Sequence, residues 1–171
     1  PFLPIHAGRR PTCLVSKYSI GRSNLHSPAE EVFSTPSTYF SVVRVKRDIL
    51  RKSTIGGMFT GRSSSNTPGA SGNIAYGVDG AFGFFENLTI GGYWAKTKTE
   101  GLEGDDDSYQ ARYDYFADRY GARVEYLKVG DNFSPEVGFI QRDNFKRSFA
   151  SLRFSPRPND FLGVRKFTWQ G

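Results

Sequence analysis

The sequence predicts an all-β fold, an antiparallel up-and-down meander, on two observations. Apolar and polar residues alternate with period two along most of the chain, and the connections between the alternating runs are long and short in turn. Helical spacing is nearly absent. Composition narrows the class further. Of 171 residues, 37% are hydrophobic and 15% aromatic, too much large apolar surface for a disordered chain. No run approaches the roughly 18 consecutive apolar residues that a membrane helix needs, which excludes a helical membrane protein. The single Cys13 rules out an internal disulfide framework, and His6 and His26 without paired cysteines offer no zinc-ligand spacing. No metal or cofactor is expected. The chain opens at Pro1-Phe2-Leu3-Pro4 without Met or export signal and stops at Trp169-Gln170-Gly171 within an alternating run, so an internal fragment of a longer exported protein is expected.

The clearest strand is Asn73 to Phe84, where Ile74, Tyr76, Val78, Gly80, Phe82 and Phe84 alternate with Asn73, Ala75, Gly77, Asp79, Ala81 and Gly83. Tyr109, Ala111, Tyr113 and Tyr115 alternate with Ser108, Gln110, Arg112 and Asp114, and Tyr120, Ala122, Val124 and Tyr126 with Gly121, Arg123 and Glu125. Weaker alternation predicts strands over 39–47, 54–61, 88–97, 136–142, 145–154 and 164–170. Long polar connections are expected at 62–72, 98–107, 129–135 and 155–162, and tight ones at Phe85-Glu86-Asn87, Ala117-Asp118 and Asp143-Asn144.

Hairpin registers can be tested on parity. A two-residue loop at Ala117-Asp118 would pair Tyr115 with Tyr120, Tyr113 with Ala122, Ala111 with Val124 and Tyr109 with Tyr126, all on the apolar face. It would also set Arg112 opposite Arg123, with Asp114 and Glu125 as diagonal compensation. A three-residue loop at 85–87 pairs Phe84 with Leu88, Phe82 with Ile90 and Val78 with Trp94, with Asn87 supplying the left-handed residue.

The polar face separates a soluble sheet from a membrane barrel. A soluble sheet favours Lys, Glu and Thr on its wet face, whereas these positions carry Gly, Ala, Ser and paired opposite charges, which suits a confined lumen. Strand lengths near the roughly 9–11 residues that cross a bilayer at a tilt, and aromatics at strand ends, point to a transmembrane outer-membrane β-barrel of about ten strands. Tyr76, Val78, Phe82, Trp94, Tyr113, Tyr115, Tyr120 and Val124 are then expected to face lipid, and Arg112, Asp114, Arg123 and Glu125 to form a lumen charge network.

The tract Val129-Gly130-Asp131-Asn132-Phe133-Ser134-Pro135-Glu136-Val137-Gly138-Phe139-Ile140-Gln141-Arg142 resembles an uncharacterised bacterial outer-membrane barrel family, a domain of unknown function whose members typically follow a family-9-type carbohydrate-binding module. Val43 to Asp48, Ser53 to Gly56, Tyr76 to Asp79, Gly101 to Asp106 and Arg153 to Pro158 are similar to it too. The resemblance covers most of 38–170. Within 1–36 it is confined to Pro4 to Gly8 and Lys17 to Gly21, so strand pieces and a loop are expected there, and barrel strands over 37–171, truncated at the carboxyl end. It implies a bacterial outer-membrane location, outer-membrane lipid as a partner, and carbohydrate bound through an amino-terminal module outside this chain. It transfers no activity and no catalytic residue.

Other groups yield to plainer readings. Asp105, Asp106 and Asp107 beside Glu103 lack the spacing of a calcium loop and read as a solvated loop. Ser27-Pro28-Ala29-Glu30 reads as a capping box on a single turn. The basic stretch Arg44, Lys46, Arg47, Arg51 and Lys52 lacks aromatics on its own face, so nucleic acid is not an expected partner. Gly77, Gly80 and Gly83 precede no helix and are not a phosphate loop. Asp114 and Glu125 could in principle work as a glycosidase pair, but each has an arginine neighbour, so lumen salt bridges are the expected reading. A non-enzymatic barrel segment is expected, anchoring a surface module and forming a passage for solutes. The alternatives are a soluble carbohydrate-binding sheet protein and a component of a glycan-degrading hydrolase.

Overall fold

A computed structural model describes residues 7–9, 11–28, 37–65, 71–138, 140, 142–156 and 168–171. The expectations at Pro4 to His6, Ala29-Glu30, Phe139, Gln141, Arg157-Pro158 and 164–167 lie outside those residues.

The described residues form one antiparallel sheet and no helix. Its strands are β1 (Ala7–Arg9), β2 (Thr12–Val15), β3 (Tyr18–Ser27), β4 (Thr38–Leu50), β5 (Ser53–Arg62), β6 (Asn73–Phe84), β7 (Leu88–Thr99), β8 (Asp107–Phe116), β9 (Tyr120–Val129), β10 (Phe145–Phe154) and β11 (Trp169–Gln170). From β3 to β11 each strand pairs with its neighbour in sequence, while β1 and β2 share the outer side of β3. The meander expected from alternation is therefore present. Among the described residues the sheet is open: β11 pairs only with β10.

The two faces are chemically distinct, and the register keeps them so. Val78 pairs with Trp94 and Trp94 with Tyr109; Ile90 pairs with Tyr113 and Tyr113 with Val124. On the reverse, Asp79 pairs with Tyr93 and Tyr93 with Gln110. Burial is inverted relative to a water-soluble core. Among the described residues the buried hydrophobics are Ala75 and Val129, whereas Asn73, Thr97, Thr99, Ser108, Asp114 and several other polar residues are buried. Ile55, Phe59, Tyr76, Val78, Ile90, Trp94, Tyr113, Val124 and Leu152 are all exposed.

Three sequence expectations need correction. The β6–β7 register is as expected, but the left-handed residue of its turn is Phe85, at φ 56°, and not Asn87. In the β8–β9 hairpin Tyr115 pairs with Ala122, Tyr113 with Val124, Ala111 with Tyr126 and Tyr109 with Lys128. The turn is thus longer than Ala117-Asp118, and the Ala117 N–H donates to the Tyr120 carbonyl at 2.9 Å. Either register satisfies parity. The observed one sets Arg112 opposite Glu125 and Asp114 opposite Arg123, replacing a like-charge pair with two attractive ones. Third, the alternation over 136–142 is not a strand: its described residues lie in a loop. Removing that strand reverses the rim assignment downstream. The connection over 155–168 leaves the rim that carries the tight turns, while 28–37, 63–72, 100–106 and 130–144 leave the opposite one.

Candidate functional site

The tract carrying the family resemblance lies in the 130–144 connection, which folds back onto the polar face of the sheet. Each end is fixed by backbone contact. The Gly130 N–H donates to the Asp107 carbonyl at 2.9 Å and the Asn132 N–H to that of Asp105 at 3.1 Å. A Cβ at Gly130 would collide with the Asp105 carbonyl, so the approach requires glycine. At the far end the Asn144 N–H returns to the Gly130 carbonyl at 3.4 Å, closing a compact loop.

Side chains of the wall hold the middle of the connection. Asn73, fully buried at the start of β6, donates through Nδ2 to the Ser134 carbonyl and to Thr99 Oγ1, both at 2.7 Å, and accepts from the Glu136 N–H at 3.2 Å. Thr97 Oγ1 accepts from the Ser134 N–H at 3.1 Å and lies 3.3 Å from the Asn132 carbonyl. These bonds do the work a neighbouring strand would otherwise do, which is why the segment needs no ladder of its own. Glu136 then reaches Arg62 at 3.2 Å and Ser65 Oγ at 2.5 Å, with its side chain 3% exposed. Phe133, Pro135 and Val137 close over Val42, Met58 and Ala75, leaving a groove of 540 Å³ between connection and wall. Gly138 completes the turn by donating to the Pro135 carbonyl at 2.9 Å. Asn132 Nδ2 donates to the carbonyls of Glu103 and Gly104 at 3.1 and 2.8 Å, tying the connection to the acidic loop.

That acidic loop is itself paired with lysines. Lys128 Nζ lies 2.6 Å from Asp105 and 3.3 Å from Asp107, and Lys96 Nζ is 3.2 Å from Asp106. The Lys128 ammonium holds the Asp105 carboxyl below its ordinary value. No group of three or more metal-ligating side chains occurs among the described residues. Glu100 in the same loop is likewise lowered, by two bonds from Ser71.

The expected charge network is drawn together on the polar face of β8 to β10. Asp114, 7% exposed, receives Arg112 Nε at 2.7 Å and Arg123 Nε at 2.6 Å. Glu125 pairs with Arg147 of β10. A second bridge crosses β5, where Arg44 Nη2 donates to Asp79 Oδ2 at 2.8 Å over Gly56, whose missing Cβ leaves the space. The basic stretch is divided by the pleat: Arg44 and Lys46 lie on the polar face and Arg47 on the other, stacked over Tyr18 at 4.9 Å.

The residues expected to face lipid share the apolar face. Phe82 and Tyr115 are half-buried there, the other six exposed. Asp131 lies in the loop beside Asp105, to whose carboxylate its N–H donates, and Arg142 is exposed outside any strand. Sequence reasoning missed Asn73, Thr97, Arg62, Asp79 and Arg147. Polar residues at buried strand positions were the available signal for the first two. Comparison with protein-family models, with curated proteins and with solved structures finds no match for this chain.

Proposed function

We propose that this chain is part of the wall of a non-enzymatic bacterial outer-membrane β-barrel, anchoring a surface module and enclosing a passage for solutes, with the 130–144 connection folded into the lumen. The observation that carries the reading is the distribution of burial: Ile55, Phe59, Tyr76, Val78, Ile90, Trp94, Tyr113, Val124 and Leu152 lie exposed on one face, while Asn73, Thr97, Ser108 and Asp114 are buried on the other, which also carries the exposed Met58 and Phe149. In water the first of these faces is costly, at about 25 cal/mol per Å² of apolar surface; in lipid it is the stable arrangement. Aromatic stacking supports the placement. Tyr120, Phe154 and Trp169 stack near the tight-turn rim, and Tyr76 with Trp94 and Tyr109 with Tyr126 form edge and tilted pairs nearer the other.

The test uses the protein in its natural length: membrane fractionation, then gel migration of heated and unheated samples in detergent. Outer-membrane recovery with a heat-dependent shift is expected. A soluble protein without a shift would overturn the barrel, and binding to insoluble polysaccharide without detergent would then favour sugar stacking on Trp94, Tyr113 and Tyr120.

A further inference from the structure

The charges on the polar face do not balance. On β8 to β10 Arg112, Arg123, Arg147 and Arg153 face only Asp114 and Glu125. Asp114 is shared between two guanidiniums at 2.7 and 2.6 Å, so one carboxylate serves two cations. Glu125 serves Arg147, and Arg153 Nη2 donates to the Ala117 carbonyl at 2.7 Å, a contact that neutralises nothing. Elsewhere on this face Asp79 is committed to Arg44 and Glu136 to Arg62, while Asp48 of β4 shares the face with Lys46 of the same strand, so the excess of cations is confined to β8 to β10. The arginines stay accessible, with the side chains of Arg112, Arg123 and Arg147 49%, 45% and 56% exposed.

We infer that this arginine-rich wall makes the passage anion-selective, favouring small solutes that carry carboxylate, sulfate or phosphate groups over cations; the inference rests on the barrel reading above. Guanidinium charge does not titrate near neutrality, and its planar donors suit oxyanions. Spread over three adjacent strands and already partly engaged by Asp114 and Glu125, these donors offer several weak stations and no single tight site, as conduction requires. The described part of the 130–144 connection lies against β3 to β7, and Arg112, Arg123 and Arg147 of β8 to β10 stay exposed beside it.

The experiment places the full natural-length protein in planar bilayers under a KCl gradient. A reversal potential of the chloride sign is expected. R112Q with R147Q should lower the chloride-to-potassium permeability ratio about twofold or more, and E125Q should raise it; heat-dependent gel migration checks that each variant is folded. A reversal potential of the potassium sign, or a ratio indifferent to all three substitutions, overturns the inference and leaves the barrel standing. So does a heat-modifiable outer-membrane protein that conducts nothing. Recovery of the protein in the soluble fraction overturns both.

Discussion

At the scale of single residues, Asn73 is the side chain on which most depends. Its amide holds backbone groups of Ser134 and Glu136 that belong to no strand. Asn73→Ala should strand those buried groups at about 1–3 kcal/mol each, and limited proteolysis should then cut within 130–142 while β5 to β8 stay protected. Arg62→Met would act on the same segment through Glu136, whose carboxylate, 3% exposed, would keep the Ser65 hydroxyl and lose its guanidinium, a loss of about 1–3 kcal/mol. Asp105 gives the loops a pH dependence. Its carboxyl is lowered by Lys128, so its tie is at full strength above the ordinary carboxylate pKa and is lost as pH falls through the depressed value. Hydrogen exchange at 103–107 and 130–132 should accelerate in that acidic window, and Asp105→Asn should remove the dependence. Little of this was legible beforehand: Gly130, Asn132 and Glu136 stood out as a motif, but alternation says nothing of an amide acting at a distance.

At the scale of elements, period two fixes which residues share a face and leaves the offset between strands free. The β8–β9 hairpin illustrates this, since shifting the pairing by two residues keeps every side chain on its own face. Charge carries the missing information: only the longer turn places Arg112 against Glu125 and Arg123 against Asp114. Cysteines at Tyr113 and Val124 should therefore crosslink under mild oxidation, and cysteines at Tyr113 and Ala122 should not. The false strand over 136–142 has a different cause. Val137 lines the groove against Val42, Met58 and Ala75 while its neighbour Glu136 turns to Arg62 and Ser65, so successive residues meet different surroundings without any strand partner, and alternation records only that difference.

At the scale of the whole molecule, a meander with one apolar and one polar face was legible from composition and periodicity, because both depend on where large side chains go and not on how strands are offset. The decisive prediction is an asymmetry of tolerance. Val78→Arg or Val124→Arg, on the exposed apolar face, should cost about 2–4 kcal/mol near the bilayer midplane, read as reduced heat-resistant folded species after refolding into lipid. Arginine at Ala81, on the polar face of the same strand, should assemble normally. Equal tolerance of charge on both faces would remove the distinction on which the barrel rests.

The closure of the 130–144 connection has a separate consequence. Phe145 pairs with Val129 directly beneath the point where Asn144 meets Gly130, so the two strands are already joined before the excursion begins. The connection is in effect a removable part. Replacing it by a short turn should leave β9 and β10 in register, while Asn73, Thr97 and Arg62 of the wall lose the partners it supplies.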